Sequence, residues 1–199
     1  MNPDGDLERA LTALAQGQVV VVPTDTVYGL AARPDQPDAV AKIFELKGRE
    51  RQKALPVLGA DLDSLHNIVE FDERALTIAN AFWPGPLTLV LSRKSGWGYD
   101  LGAGTNDSVA VRLPDSAVTQ RLLDSSGPLA VTSANRSGRR PAATAEEARV
   151  LFDEEVDVFV DGGSSAGGVA STVVSLVGEL SVLRPGPIGE DELRQKLTS

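Results

Sequence analysis

Four cations, Lys47, Arg49, Arg51 and Lys53, stand two residues apart in a chain of 199 residues whose net charge is −9. On an extended backbone that period points all four side chains to one side. Like charges packed so closely repel unless an anion sits among them, so the run predicts a polyanionic ligand; its alternative is a solvated loop following a helix. Arg112 is the second candidate, because an arginine set between Ala110-Val111 and Leu113 is costly to bury without a carboxylate or phosphate partner. Two further segments, Thr24-Asp25-Thr26 and Thr132-Ser133-Ala134-Asn135, carry hydroxyls and amides that hydrogen-bond ligand oxygens and that equally build Asx and ST turns. The segment Gly162 to Gly168 can offer backbone N–H groups to phosphates or simply connect elements. A Walker A pattern is absent, which argues against ordinary P-loop chemistry.

Composition removes several other chemistries. With no cysteine there is no disulfide, thiolate nucleophile or Cys-ligated zinc. His66 is the only histidine, so a histidine metal cluster and a Ser-His-Asp triad are both disfavoured; the residue is expected at the surface or at a helix start. The acidic balance argues against non-specific coating of nucleic acid but allows a local basic cavity. Aromatic residues make up 5% of the chain, too few to predict a base-stacking platform. The N-terminus is polar and no apolar run approaches the roughly 20 residues a membrane span needs, so a cytoplasmic protein is expected.

The elements that position these residues follow from periodicity and punctuation. Leu7, Leu11 and Leu14 mark a first helix stopped at Gly17, and Val19 to Val22 reads as a buried strand closed by Pro23. A loop from Thr24 through Leu30 follows. Pro37 and Asp38 open a second helix, with Val40, Ile43, Phe44 and Lys47 on one stripe and Gly48 ending it. The apolar stretch Leu55 to Leu58 comes next, then a helix from Asp72 through Phe82 and a strand from Leu87 to Leu91. Val109 to Leu113 forms another strand, followed by a helix opened by Pro114-Asp115 and by a strand at Leu129 to Val131. Thr144 and Glu147 match a capping box. Val156 to Val160 is a strand, and Gly178-Glu179 is a two-residue hairpin signal between Thr172–Val177 and Leu180–Leu183. A C-terminal helix follows Arg184-Pro185-Gly186-Pro187. Alternating strands and helices with one late hairpin predict an α/β fold, one domain across residues 1–199, with a mixed, twisted open sheet flanked by helices around a concave basic cavity. Strand-end loops are where such sheets place their ligands.

Taken in order, several segments resemble one family. Pro23-Thr24-Asp25-Thr26-Val27-Tyr28-Gly29-Leu30, then Lys47-Gly48-Arg49 with Lys53, is similar to the opening signature of the YrdC-like proteins, the threonylcarbamoyl-adenylate synthases of tRNA modification. Trp83-Pro84-Gly85-Pro86-Leu87-Thr88, Val109-Ala110-Val111-Arg112, Ser133-Ala134-Asn135 with Ser137-Gly138, Ser171-Thr172-Val173-Val174 and Arg184-Pro185-Gly186 continue the match in family order. Each segment is weakly specific; the ordered set, from about residue 19 to residue 188, is highly specific.

The resemblance implies a nucleotidyl transfer in which L-threonine, bicarbonate and ATP give threonylcarbamoyl-AMP and pyrophosphate, with Mg²⁺ held mainly by the ATP phosphates. Separate proteins then transfer the threonylcarbamoyl group to tRNA; direct tRNA or RNA contact is compatible with this scheme and not required by it. Carried over by position, Lys47 and Arg49 are the catalytic cations, and Lys47, Arg49, Lys53, Ser108, Ser133, Asn135 and Arg184 are implied to bind the nucleotide. Thr26, Tyr28, Arg112, Val131 and Ser171 are implied to hold threonine, Arg112 by a fork on the carboxylate. Leu58 stands where many relatives have histidine, Ala54 where proline is common, and Ser175 where aspartate is common. Two other readings are a carbamoyl-adenylate-forming module and a non-catalytic RNA-binding or ribosome-maturation module.

Overall fold

The computed structural model describes residues 3–48, 51, 53–102, 107–165 and 168–198. Its strands are β1 (Val20–Val22), β2 (Gly29–Ala32), β3 (Val57–Leu58), β4 (Leu87–Ser92), β5 (Ser108–Arg112), β6 (Leu129–Ser133), β7 (Val158–Phe159), β8 (Thr172–Ser175) and β9 (Ser181–Arg184). They form one open sheet in the order β7-β1-β2-β6-β3-β5-β4-β8-β9. The sheet is mixed: β1/β7, β3/β5 and β4/β8 run parallel, and the other neighbours run antiparallel. The helices are α1 (Pro3–Ala15), α2 (Pro37–Lys47), α3 (Leu62–His66), α4 (Glu73–Phe82), α5 (Ala117–Ser126), α6 (Ala145–Phe152) and α7 (Glu190–Thr198). The architecture is α/β, as the alternation of patterns predicts.

Strand alternation divides the labour between the two faces of the sheet. Val21, Leu30, Val57, Val111, Leu89 and Val174 project to one side, where they pack with Ile43 of α2, Ile78 of α4, Phe152 of α6 and Leu193 of α7. On the other side Val20, Val22, Ala31, Leu129 and Val131 meet Leu7 and Leu14 of α1 and Leu122 and Leu123 of α5. That second cluster reaches only as far as Leu58 on β3. Beyond it the same face continues across β5, β4, β8 and β9, where Ala110, Arg112, Thr88, Val90, Val173 and Arg184 line a cavity instead of packing under a helix.

The local rules that set the boundaries are visible in the caps. In α2, Pro37 occupies the first turn and Gly48, at φ 56° and ψ 40°, ends the helix in the left-handed region, its N–H bonding to Phe44 and Glu45 carbonyls. The α4 cap is Asp72, one of whose oxygens accepts from Ala75 N at 2.8 Å. Thr144 caps α6 by accepting from Glu147 N, while Glu147 Oε2 accepts from Ala143 N at 2.7 Å; the glutamate thus reaches one residue beyond the expected capping box. A full reciprocal box forms instead at Asp61 and Ser64 and starts α3.

Three other expectations change. Gly29 and Leu30, expected in the loop, instead open β2: a Cβ at Gly29 would lie 2.6 Å from Val131 Cγ1, and three of the four residues of this strand are small and carry little strand signal. The late hairpin is not closed by two residues; β8 ends at Ser175 and β9 begins at Ser181, with a register shift between Val173 and Val174. His66 ends α3 rather than starting a helix, with Nδ1 2.8 Å from the Leu62 carbonyl and the ring 4.6 Å from that of Phe71.

Candidate active site

The open part of the sheet face floors a cavity of about 1040 Å³. Its walls come from the β1–β2 connection, the C-terminus of α2, the 53–56 segment, the loop after β6 and residues 170–171 before β8. Lys47, Lys53, Ser108, Arg112, Ser133, Asn135 and Arg184 all line it, and so do Thr26, Tyr28, Val131 and Ser171. Arg49 lies outside the described residues. Four lining side chains are cationic, and no aspartate or glutamate occurs among the described lining residues. One of the four, Arg112, is paired with Asp25.

The described cations of the 47–53 run do not share one side. The buried stripe Val40, Ile43, Phe44 and Lys47 carries Lys47 inward on α2, leaving it 4% exposed. Its Nζ donates to Ser133 O at 2.6 Å, Asn135 O at 3.0 Å and Asn135 Oδ1 at 2.9 Å. Ser133 Oγ in turn donates to Asn135 Oδ1 at 2.6 Å. After Gly48 turns the chain, Arg51 leaves the cavity, pairing with Asp100 at 2.9 Å and stacking over Phe44 at 5.3 Å. Lys53 returns to the cavity wall and is exposed there. The helical period therefore makes Lys47 a clamp on the loop after β6, while Lys53 faces the open space.

Arg112 ends β5 at 6% exposure. Its Nε donates to Gly85 O at 3.0 Å, Nη1 to Thr26 Oγ1 at 3.0 Å, and Nη2 to Asp25 Oδ1 at 2.5 Å. Burial lowers the guanidinium's affinity for its proton and the Asp25 carboxylate opposes that shift. Asp25 Oδ1 also accepts from Asp115 N at 3.1 Å, which ties the pair to the turn before α5. A guanidinium has five N–H donors, so these three bonds hold its plane while leaving N–H groups on Nη1 and Nη2 to meet an oxyanion.

On the far side of the floor, Arg184 donates to the Ser171 carbonyl from Nε at 3.1 Å and from Nη2 at 2.8 Å, and to Ser171 Oγ at 3.1 Å. Ser171 Oγ is 2.8 Å from Thr88 Oγ1. Tyr28 is fully buried; its hydroxyl donates to Gly163 O at 2.6 Å and accepts from Gly162 N at 3.2 Å. Burial pushes this phenol above its ordinary pKa. Ser165 Oγ donates to Thr24 O at 2.7 Å, so the described part of the glycine-serine segment is fastened to the loop that carries Thr26.

Two contributors escaped sequence reasoning. Thr88 lies in a recognisable motif that assigns it no role; the signal is its parity, a hydroxyl between the core-facing Leu87 and Leu89. In the sequence Asp25 is one polar loop residue among several, and only the fold brings it to Arg112, 87 positions away. Among the described residues no group of three or more His, Cys, Asp or Glu side chains is arranged to hold a metal ion, and no helix is long and apolar enough to cross a membrane.

The chain is similar to several known proteins. The Bacillus subtilis threonylcarbamoyl-AMP synthase is 38% identical over 193 residues, 96% of this chain and 56% of its own length. The Vibrio parahaemolyticus threonylcarbamoyl-AMP synthase is 35% identical over 169 residues, 80% of this chain and 88% of its own. The solved structure of Pyrococcus abyssi Sua5 complexed with L-threonine superposes with a TM-score of 0.90 at 35% identity, covering 96% of this chain and 57% of that one. This chain thus spans a little over half of the Bacillus and Pyrococcus proteins and most of the Vibrio protein. The Sua5/YciO/YrdC family model, described as "Telomere recombination", matches residues 12–186. Those residues contain every described side chain of the cavity, and the chain belongs to the Sua5/YciO/YrdC family.

Proposed function

We propose that this protein is a threonylcarbamoyl-AMP synthase, forming L-threonylcarbamoyladenylate and pyrophosphate from L-threonine, bicarbonate and ATP for threonylcarbamoyladenosine modification of tRNA. The observation that carries this reading is one cavity lined both by Arg112, which keeps N–H groups beyond its bonds to Gly85, Thr26 and Asp25, and by the exposed Lys53. Relatives over 30% identical are named for this reaction, and the Pyrococcus relative was solved with L-threonine.

In this mechanism the threonine amine adds to bicarbonate with loss of water to form a carbamate, whose oxygen attacks the α-phosphorus of ATP as pyrophosphate departs. No enzyme nucleophile is needed, so positioning and charge neutralisation carry the catalysis. Arg112 and Thr26 would take the amino-acid carboxylate, with Val131, Ser171 and Tyr28 shaping that end of the cavity. Lys53, Arg49, Ser108, Ser133, Asn135 and Arg184 would contact the nucleotide. Lys47 would serve the nucleotide from beneath, holding Ser133 and Asn135 in place and adding its positive charge. The described lining offers no carboxylate for a metal, so magnesium would enter on the triphosphate, where it neutralises phosphate charge. The reading places the protein in the cytoplasm, upstream of the proteins that transfer the threonylcarbamoyl group.

The test is pyrophosphate release with each substrate omitted in turn. Release should require ATP, threonine and bicarbonate together. Release that ignores threonine would remove this reading.

A further inference from the structure

We propose that Leu58 and Thr88, which flank Arg112 on opposite sides, read the two different groups on the β-carbon of the amino-acid substrate, Leu58 the methyl and Thr88 the hydroxyl. This rests on Arg112 holding the substrate carboxylate and takes that reading to the level of substrate selection.

The sheet register sets the geometry. Leu58 of β3 is the direct partner of Arg112 on β5. On the other side, the pairing of Leu89 with Val111 and Val90 with Ala110 puts Thr88 of β4 opposite Arg112. Neighbouring strands lie about 4.8 Å apart, so an amino acid seated on Arg112 has a wall on each side within reach of its β-carbon.

The two walls differ in chemistry. Leu58 is 3% exposed and Val131 is 4% exposed; both line the cavity, as does Pro56, whose carbonyl is taken by Val131 N at 2.9 Å. An alcohol turned toward the Leu58 and Val131 side chains would lose water and gain no side-chain partner. At the opposite wall Thr88 Oγ1 and Ser171 Oγ are both buried and 2.8 Å apart. Whichever of them donates, that bond uses one hydroxyl proton and leaves the other for an oxygen in the cavity.

A β-carbon bearing one methyl and one hydroxyl satisfies both walls at once. Serine leaves the Leu58 wall without a partner. Valine presses a methyl onto the Thr88–Ser171 pair. The allo epimer of threonine exchanges the two groups and meets both walls wrongly.

The experiment measures kcat/KM for pyrophosphate release by the full chain with ATP, bicarbonate and, separately, L-threonine, L-serine, L-valine and L-allo-threonine. The wild type should prefer threonine to each analogue by about tenfold or more, the range that a single methyl or misplaced hydroxyl supports. Leu58→Ala should shrink the threonine/serine ratio by about tenfold and leave threonine/valine in place. Thr88→Val should do the reverse, and Thr88→Ser, which keeps the hydroxyl, should restore the wild-type threonine/valine ratio. Each ratio is taken within one preparation, so a loss of folded protein cancels; should Leu58→Ala not fold, Leu58→Val shifts the same ratio in the same direction. Variants that slow all four amino acids by a common factor overturn this inference and leave the synthase reading standing. A wild type that needs no amino acid overturns both.

Discussion

The Nζ of Lys47 sits 2.9 Å from Oδ1 of Asn135 and also donates to the Ser133 and Asn135 carbonyls. A buried ammonium that bonds oxygens at the end of β6 and in the loop after it is a structural fastener as much as a charge. Lys47→Met keeps the aliphatic length and removes the donors. It should cost about 1.5–3 kcal/mol, the worth of hydrogen bonds to a charged group, read as a lower urea midpoint. Turnover should fall with it, because Ser133 and Asn135 lose their anchor.

Lys53 differs in facing the open cavity. Lys53→Ala should leave stability nearly unchanged, as surface substitutions do. It should lower pyrophosphate release by about 10²- to 10³-fold, the typical effect of removing one preorganised electrostatic contact. Unchanged turnover would remove Lys53 from the phosphate site.

The Asp25–Arg112 pair predicts a different signature. Asp25→Ala strands a buried guanidinium, and breaking such a pair costs about 3–5 kcal/mol. In protein that remains folded, the KM for threonine should rise while the KM for ATP stays near the wild-type value. An effect confined to ATP would move Arg112 to the nucleotide end of the cavity.

Tyr28 gives the pH dependence. Its folded-state pKa is raised by burial, so the folded protein holds the phenol neutral where the unfolded chain ionises it. The resulting stability is complete below about pH 10, the unfolded value, and is lost as pH rises from there through the folded pKa. Tyr28→Phe should be less stable at neutral pH by about 1–3 kcal/mol, since Gly162 N and Gly163 O lose their partner. The gap between wild type and variant should narrow above pH 10 in denaturant titrations.

Much of this was legible in the sequence because local rules and tertiary packing agree. The Val40–Lys47 stripe, the Asp72 cap and the Gly48 stop each act within one or two turns of helix, and each is found. The failures come where a longer-range contact overrides local pattern. Lys47, Arg51 and Lys53 looked equivalent at period two, yet helix α2 claims the first and Asp100 the second. Strand β2 was hidden because Gly29-Leu30-Ala31-Ala32 is selected for closeness to β6 rather than for strand propensity. The residues implied by family resemblance meet in one cavity wherever they are described, but Asp25 and Thr88 acquire roles only once the strand register is known.

The face shared by the second core and the cavity has a practical consequence. On β5, Val109 and Val111 belong to the packed side while Ala110 and Arg112 belong to the cavity side. Specificity can therefore be redrawn at alternate positions, such as 88, 90 and 110, without disturbing the neighbours that hold the sheet to its helices. A directed-evolution library confined to that parity would explore new amino-acid substrates on an intact scaffold, whereas one of opposite parity would mainly return unfolded chains.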